Sequence, residues 1–494
     1  MIHDAVGNNA RALTHGQQQY DQTGRRTLHY FALATISLVA SSVWFGENLY
    51  SFCRLCLVLA VGVVLIVLAQ IAQVRPWLVL LLCLTSCLTC WRSHIEWQNV
   101  QDVRSGNYSG LAILKSDPQP IGRGVRVVLE IEGQRFESWL YGSSARRVAL
   151  QVSGESVEVV GQRRPNGEGG RRLQVRHIVG RFEVKVLRTI ASGAHISESR
   201  FELAANRVRS ALGKGSRVLS GDQSALFAGL VYGDDSQQPP EMVNRFRASG
   251  LAHLTAVSGQ NVAFVMAVVA PLLTRLRRWN RLLLTLLVLG WFAIMTRLEP
   301  SVIRAVTMAG ITATVFAIGG RLKAWQVLCA TCISLLILDP FLLWSVGWWL
   351  SIGGSSGLIV LSPRIRTSLQ CWGLRNHPWV VDWVAPSLAA QLGVLPILVL
   401  VFGWPSAMSI PCNLLAVPIA GLVMLAGIPT ALIAGVAPHA ISEALMWPLG
   451  VGVKWVDTVA ALGQHLNLPP VIDIATAVVP LFLLLSHRCE NLET

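Results

Sequence analysis

The sequence predicts a polytopic α-helical membrane protein of about ten to twelve spans with an inserted extracytoplasmic all-β domain of OB type. Three observations predict it. Apolar residues make up 52% of the chain and charged residues only 14%, a balance outside that of an ordinary soluble domain. Apolar runs of membrane length recur along most of the sequence. Between two blocks of such runs, residues 92–222 hold no span and instead alternate polar with apolar positions, as half-buried strands do.

Residues 1–29 form a polar N-terminal tail rich in Gln, Asn and Gly. Three apolar runs follow at 30–46, 52–74 and 76–91, an N-terminal block of spans over 30–91. Arg25 and Arg26 precede the first run. Two more spans follow it closely, so it reads as a retained signal anchor rather than a cleaved peptide. The arginine pair stays cytoplasmic by the positive-inside rule, which puts residue 92 outside.

Within residues 92–190 the runs Gly124–Glu132, Gln134–Tyr141, Ser156–Val160 and Gly180–Leu187 read as strands. The Gly-, Pro- and Arg-rich stretch Arg163–Arg172 reads as a turn. Short strands at this spacing suit a small barrel of OB type. Residues 191–222 form a linker in which Glu198–Leu219 carries Phe201, Leu203, Val208 and Leu212 between basic residues. This reads as an amphipathic helix on the membrane surface.

Residues 223–486 form a second block of spans, near 251–273, 282–296, 302–319, 324–338, 341–361, 379–402, 411–436, 441–462 and 471–486, before a tail at 487–494. Basic clusters test the count. Arg275, Arg277, Arg278 and Arg281 follow the first of these spans, Arg321 and Lys323 the third, Arg364 and Arg366 the fifth, and Arg488 the last. These clusters follow alternate spans, and all of them fall inside if residue 92 is outside. Much of the net charge of +14 therefore belongs to topology signals and lipid head groups. The remainder suits a polyanionic substrate.

Of the ten cysteines, none lies between Trp91 and Cys329, so the β domain holds no disulfide. Cys83, Cys87 and Cys90 share one apolar helix face, and the two CxxC pairs, Cys53/Cys56 and Cys329/Cys332, have no second ligand pair nearby. No metal site and no cofactor is expected. Gly213–Lys214–Gly215 lacks the Ser or Thr and the upstream glycine of a P-loop. No nuclease or ATPase motif appears, so the chain reads as a non-enzyme.

The most unusual segment is Gly233–Val262, GDDSQQPPEMVNRFRASGLAHLTAVSGQNV. A polar, proline-bearing loop leads straight into a span carrying His253, Thr255, Ser258, Gln260 and Asn261. Polar groups at membrane depth must be satisfied by protein or by water. They read either as helix–helix hydrogen bonds or as the lining of a hydrated path. Arg304, one turn into its span with Glu299 as candidate partner, is a cation suited to phosphate oxygens. Gln391, Pro396, Pro411, Asn413 and Pro418 punctuate two later spans, as in broken helices that line cavities. In the β domain, Phe136, Trp139 and Tyr141 are candidate base-stacking platforms beside Arg135, Arg146 and Arg147.

The string GDDSQQPPEMVNRFRASGLAHLTAVSGQNVAFV resembles the signature of the ComEC-type competence DNA-uptake channels. PSVIRAVTM, the LDP…VGWWLS…GL run and PCNLLAVPIAG resemble later motifs of that family, in the same order. The resemblance implies a channel that passes single-stranded DNA into the cytoplasm during natural transformation. Its OB-like domain would lie outside the inner membrane. It also implies working partners: a DNA receptor at the outer face, a nuclease and a cytoplasmic helicase-like motor; a homo-oligomer stays open. Two departures stand out. Many members read SGLH where this chain has Ser258–Gly259–Gln260–Asn261, so no role of that histidine transfers. Many carry a C-terminal metallo-β-lactamase-like domain with an HxHxDH cluster, which is absent from this sequence; the nuclease is then expected to be a separate protein.

Two other readings compete. The polar spans and basic domain also suit a transporter of another anionic polymer or lipid. Gly354–Ser355–Ser356–Gly357 matches the GxSG of rhomboid-type intramembrane serine hydrolases. A nucleophilic serine needs a base within reach, and the downstream histidines, His377, His439, His465 and His487, lie at span ends or in loops; close packing of small residues explains the run better.

Overall fold

A computed structural model describes residues 76–167, 170–189, 200–255, 258–371 and 374–466. The spans expected at 30–46, 52–74 and 471–486, and both tails, lie outside the described residues. The chain divides into two compact units.

In the first unit, helix α1 (Pro76–Gln101) begins at a proline, whose missing N–H costs nothing at a helix start. It runs ten residues past the expected span, through a polar end where Arg92 pairs with Glu96 at 2.8 Å. Trp97 packs edge-on against Phe341, with ring centroids 4.9 Å apart. Arg92 donates to the Leu338 carbonyl.

The second unit opens with a barrel. Its strands are β1 (Gly106–Leu114), β2 (Gln119–Ile121), β3 (Gly124–Ile131), β4 (Gln134–Tyr141), β5 (Ser156–Pro165) and β6 (Ile178–Thr189). The order β1-β5-β6-β4-β3 closes because β3 also pairs with β1, and β2 extends β3 as a short hairpin. All pairs are antiparallel except β4–β6. Five strands with one parallel pair and a helix, α2 (Gly142–Val148), between the third and fourth make a Greek-key barrel of OB type. Alternation fills it: Val127, Leu129, Ile131, Phe136, Val157, Val159 and Phe182 point inward.

Helix α3 (Arg200–Ser216) is amphipathic as expected, but its apolar face meets protein rather than a membrane surface. Leu212 is fully buried. Gly215 packs so tightly on the Ala431 carbonyl that no Cβ fits. The Gly213–Lys214–Gly215 run is thus part of a helix crossing. Helix α4 (Gly221–Tyr232) is buried from Ala225 to Tyr232, on all sides, as a helix at the centre of a bundle must be. It is followed in the chain by α5 (Pro240–Ala248), α6 (Gly259–Leu273), α7 (Arg278–Met295), α8 (Pro300–Ala317), α9 (Ala324–Leu338), α10 (Val346–Val360), α11 (Ser362–Cys371), α12 (Pro378–Phe402), α13 (Ser409–Ala434) and α14 (His439–His465). Of these, α9 belongs with the first unit from Gln326 onward. Among the described residues, α7, α8, α12 and α13 are long and apolar enough to cross a membrane. The apolar helices α6, α9 and α10 have 15 residues each, about 22 Å at 1.5 Å per residue.

Lipid tails are as apolar as the helices, so the bundle is held by close packing and hydrogen bonds. Helices α10 and α12 illustrate it. A Cβ on Gly353 would lie 2.7 Å from the Gly393 carbonyl oxygen, and one on Gly357 would run into that of Ala389. The Ser356 hydroxyl donates to the Ile352 and Gly353 carbonyls of its own helix. The GxSG run is a packing surface.

The barrel docks on the bundle through two loops. Asn206 of α3 donates to the Ser153 carbonyl. Asp117, in the loop after β1, is held by Arg209 of α3 at 3.2 Å and Arg297 of the α7–α8 turn at 2.8 Å.

Candidate functional site

The signature segment folds as a helix, a break and a second helix. Gly233 ends α4 in the left-handed conformation (φ 73°), and the Asp234 N–H returns to the Ala228 carbonyl. Pro240 opens α5, and Gly250 (φ 73°) closes it, the Leu251 N–H returning to Phe246. Both are glycine stops that satisfy orphaned carbonyls. After a single turn at Ala252–Thr255, Ser258 caps α6 by accepting from the Gln260 N–H at 3.3 Å. Of the span expected over 251–273, the long helix is Gly259–Leu273.

Polar groups bracket this break. At one end a Cβ on Gly250 would strike Ser409. The Ser409 hydroxyl accepts from the Gln391 amide at 2.5 Å, and Asn413 donates to Gln391 Oε1 at 3.4 Å. Asn413 Oδ1 is buried without a partner. At the other end, a Cβ on Gly259 would lie 3.0 Å from Arg304 Nη2. Arg304 is only 8% exposed. Its Nε donates to Ser351 Oγ at 2.5 Å and its Nη1 to Met308 Sδ at 3.0 Å.

The expected path residues therefore separate. Gln391 and Asn413 meet at one station and Arg304 stands at the other, with His253 and Gln260 exposed and Thr255 and Ser258 half-buried between them. Asn261 is buried and donates to the Leu230 carbonyl of α4 at 2.8 Å, so it ties two helices together. Glu299, expected beside Arg304, precedes α8 and feels the charges of Asp235 and Arg176. Sequence reasoning missed Ser351, Ser409 and the Asp117 pair of contacts. Lone serines and a loop aspartate carry no spacing that marks them.

On the barrel, Trp139 is 39% and Tyr141 63% exposed, on the outer face of β4. Tyr141 lies across Gly124 of β3, where a Cβ would sit 2.7 Å from its Cε1. Arg126, opposite Trp139, pairs with Glu137 at 2.5 Å, and Arg135 is exposed at the far end of the strand. Phe136 corrects the sequence reading. It is fully buried, because strand alternation turns it inward, and it cannot stack on a base. Arg146 is exposed on α2, and Arg147 donates to the Leu187 carbonyl at 3.2 Å.

The family model described as Competence protein matches residues 230–488, more than half of the chain. The chain belongs to this family. The match takes in the break, both polar stations and helices α5 to α14 of this competence-family protein. It is 26% identical over 340 residues to ComE operon protein 3 of Bacillus subtilis (strain 168), covering 65% of this chain and 42% of that protein. It is 29% identical over 154 residues to competence protein ComA of Neisseria gonorrhoeae, covering 28% of this chain and 21% of the relative. An uncharacterized protein of Escherichia coli (strain K12), YcaI, is 25% identical over 237 residues, covering 45% and 31%. The chain spans less than half the length of each relative. No solved structure matches it. The apolar helices and the family together make it a membrane protein.

Proposed function

We propose that this protein is the inner-membrane channel through which one DNA strand enters the cytoplasm during natural transformation. The observation that carries the reading is the end of α5 at Ser249–Gly250 and the new start of α6 at Ser258, held between the Gln391–Ser409–Asn413 station and Arg304. Broken backbone at membrane depth is tolerated where it is buried in protein or lines a wet cavity. A buried guanidinium at such a place matches phosphate oxygens. The barrel lies on the extracytoplasmic side. Its Trp139 and Tyr141 face offers stacking surfaces to bases, and Arg135 offers charge to the backbone. A receptor at the outer face, a nuclease and a cytoplasmic helicase-like motor complete the route as separate proteins. The relatives from Bacillus subtilis and Neisseria gonorrhoeae, ComE operon protein 3 and competence protein ComA, support a competence role.

The test is deletion of the gene followed by uptake of labelled DNA. Loss of internalisation with surface binding intact is expected. Unchanged internalisation would remove the proposal.

A further inference from the structure

Asp117 sits between two arginines of the bundle. The Arg297 guanidinium grips both of its oxygens, Nε to Oδ2 at 3.0 Å and Nη2 to Oδ1 at 2.8 Å. Arg209 Nη2 adds a contact to Oδ2 at 3.2 Å and reaches Asp234 at 3.1 Å. Such forks fit a phosphodiester as they fit a carboxylate, since each presents two oxygens and one negative charge.

Arg209 has partners in the bundle besides Asp117, and Arg297 sits in a fixed turn of it. Arg209 donates to the Met295 carbonyl at 3.0 Å and lies over the Tyr232 ring at 5.4 Å. Arg297 and Leu298 both hold left-handed backbone, at φ 58° and 56°. That is costly for non-glycine residues and persists where the surroundings impose it. Asp117 comes from the barrel instead, in the loop between its first two ring strands. OB-type barrels grip nucleic acid with that loop and with the one between their fourth and fifth strands. Here the latter loop carries Arg171, Arg172 and Arg176. The Asp117 loop thus stands at the α7–α8 turn, and that turn leads into the helix bearing Arg304.

We propose that Arg209 and Arg297 form a phosphate site latched by Asp117, which an incoming strand's phosphate displaces. The site rests on the DNA-channel reading for its ligand, though not for its geometry. Displacement frees the barrel loop from the α7–α8 turn and leaves the strand's phosphate on the turn that starts α8.

The test uses the full-length protein in detergent, with fluorescence anisotropy of two probes: a labelled oligodeoxythymidylate and a labelled short polyphosphate. Asp117→Asn removes the competing charge while keeping its shape. It is expected to tighten both probes by about tenfold and to steepen the log–log salt slope for the oligonucleotide by about 0.7, one phosphate contact. Arg297→Gln in that background should return both to the wild-type values. Where Asp117→Asn does not fold, Asp234→Asn decides. It relieves Arg209 without touching the barrel, and a gain of about threefold is expected. Unchanged or weaker polyphosphate binding in the deciding variant overturns the site. Tighter polyphosphate with no oligonucleotide binding in any variant keeps the site and removes the DNA reading.

Discussion

Arg304 Nε and Ser351 Oγ are 2.5 Å apart, and this bond links α8 to α10 beside the first residue of α6. It holds a guanidinium where the chain breaks. Lysine keeps the charge but not the fork. Arg304→Lys is therefore expected to lower DNA internalisation almost as far as Arg304→Gln, with both proteins present in the membrane. Wild-type uptake by Arg304→Lys would show that only the charge matters there.

The α10–α12 crossing has no room for side chains. Gly357→Leu should push the helices apart and destabilise the protein by ~1–3 kcal/mol or more, the usual cost of overpacking. Ser356→Ala removes only a bond within its own helix and should shift stability by less than about 0.5 kcal/mol. It should also leave uptake intact. Thermal unfolding in detergent separates the two, and loss of function in Ser356→Ala with normal stability would revive a hydrolase reading.

Asn261→Leu strands the Leu230 carbonyl in the bundle. An unpaired buried acceptor costs ~1–3 kcal/mol, so the melting temperature should fall. Gln260→Leu, one residue away and exposed, should leave it unmoved. Equal melting temperatures for the two variants would mean that the Asn261 bond does not stabilise the bundle.

Two aspartates at the barrel–bundle contact pull in opposite directions with pH. Burial pushes the Asp117 carboxyl up, but Arg209 and Arg297 outweigh it and hold the group below its ordinary value. Its contribution is present above the unfolded pKa of about 3.9 and is lost as pH falls through the lower folded value. Asp235 touches solvent, yet the protein around it and then the Asp234 carboxylate push it up. Its contribution is complete below the unfolded pKa and is lost as pH rises through the folded one. As pH falls, stability should therefore gain from Asp235 as its carboxyl takes up a proton and lose the Asp117 contribution only below about 4. Melting scans over the acid range check it, and a steady decline from neutral downward would contradict the assignment.

On the barrel, Trp139→Ala should weaken single-stranded DNA binding by the full-length protein by ~1–3 kcal/mol, the worth of one stacked base. Phe136→Leu should cost stability and leave binding unchanged. A reversed pattern would move the contact surface elsewhere.

Much of this was legible in the residues. The start of α1 at Pro76, the strand Gln134–Tyr141 and the helix Ala324–Leu338 fall where hydropathy and turn residues put them. Alternation and apolar runs report burial directly. The strand β1 was not legible. Its Gly106, Gly110 and Ser109 dilute the pattern, and pairing with β5 and β3 supplies what propensity lacks. The partner of α3's apolar face was equally hidden, since an amphipathic helix looks the same against lipid or protein. At the candidate site, the polar residues of 253–261 were visible as exceptions to an apolar run. Their division between a path and a helix tie depended on Leu230, Ser351 and Ser409, which lie far away in the chain.

The most direct measurement places a photo-crosslinking amino acid at Gln260 in cells importing labelled DNA. The account predicts crosslinks to the entering strand at this position and none at Leu287, an exposed apolar position on α7. Uptake at the normal rate with no crosslink at Gln260 would contradict it.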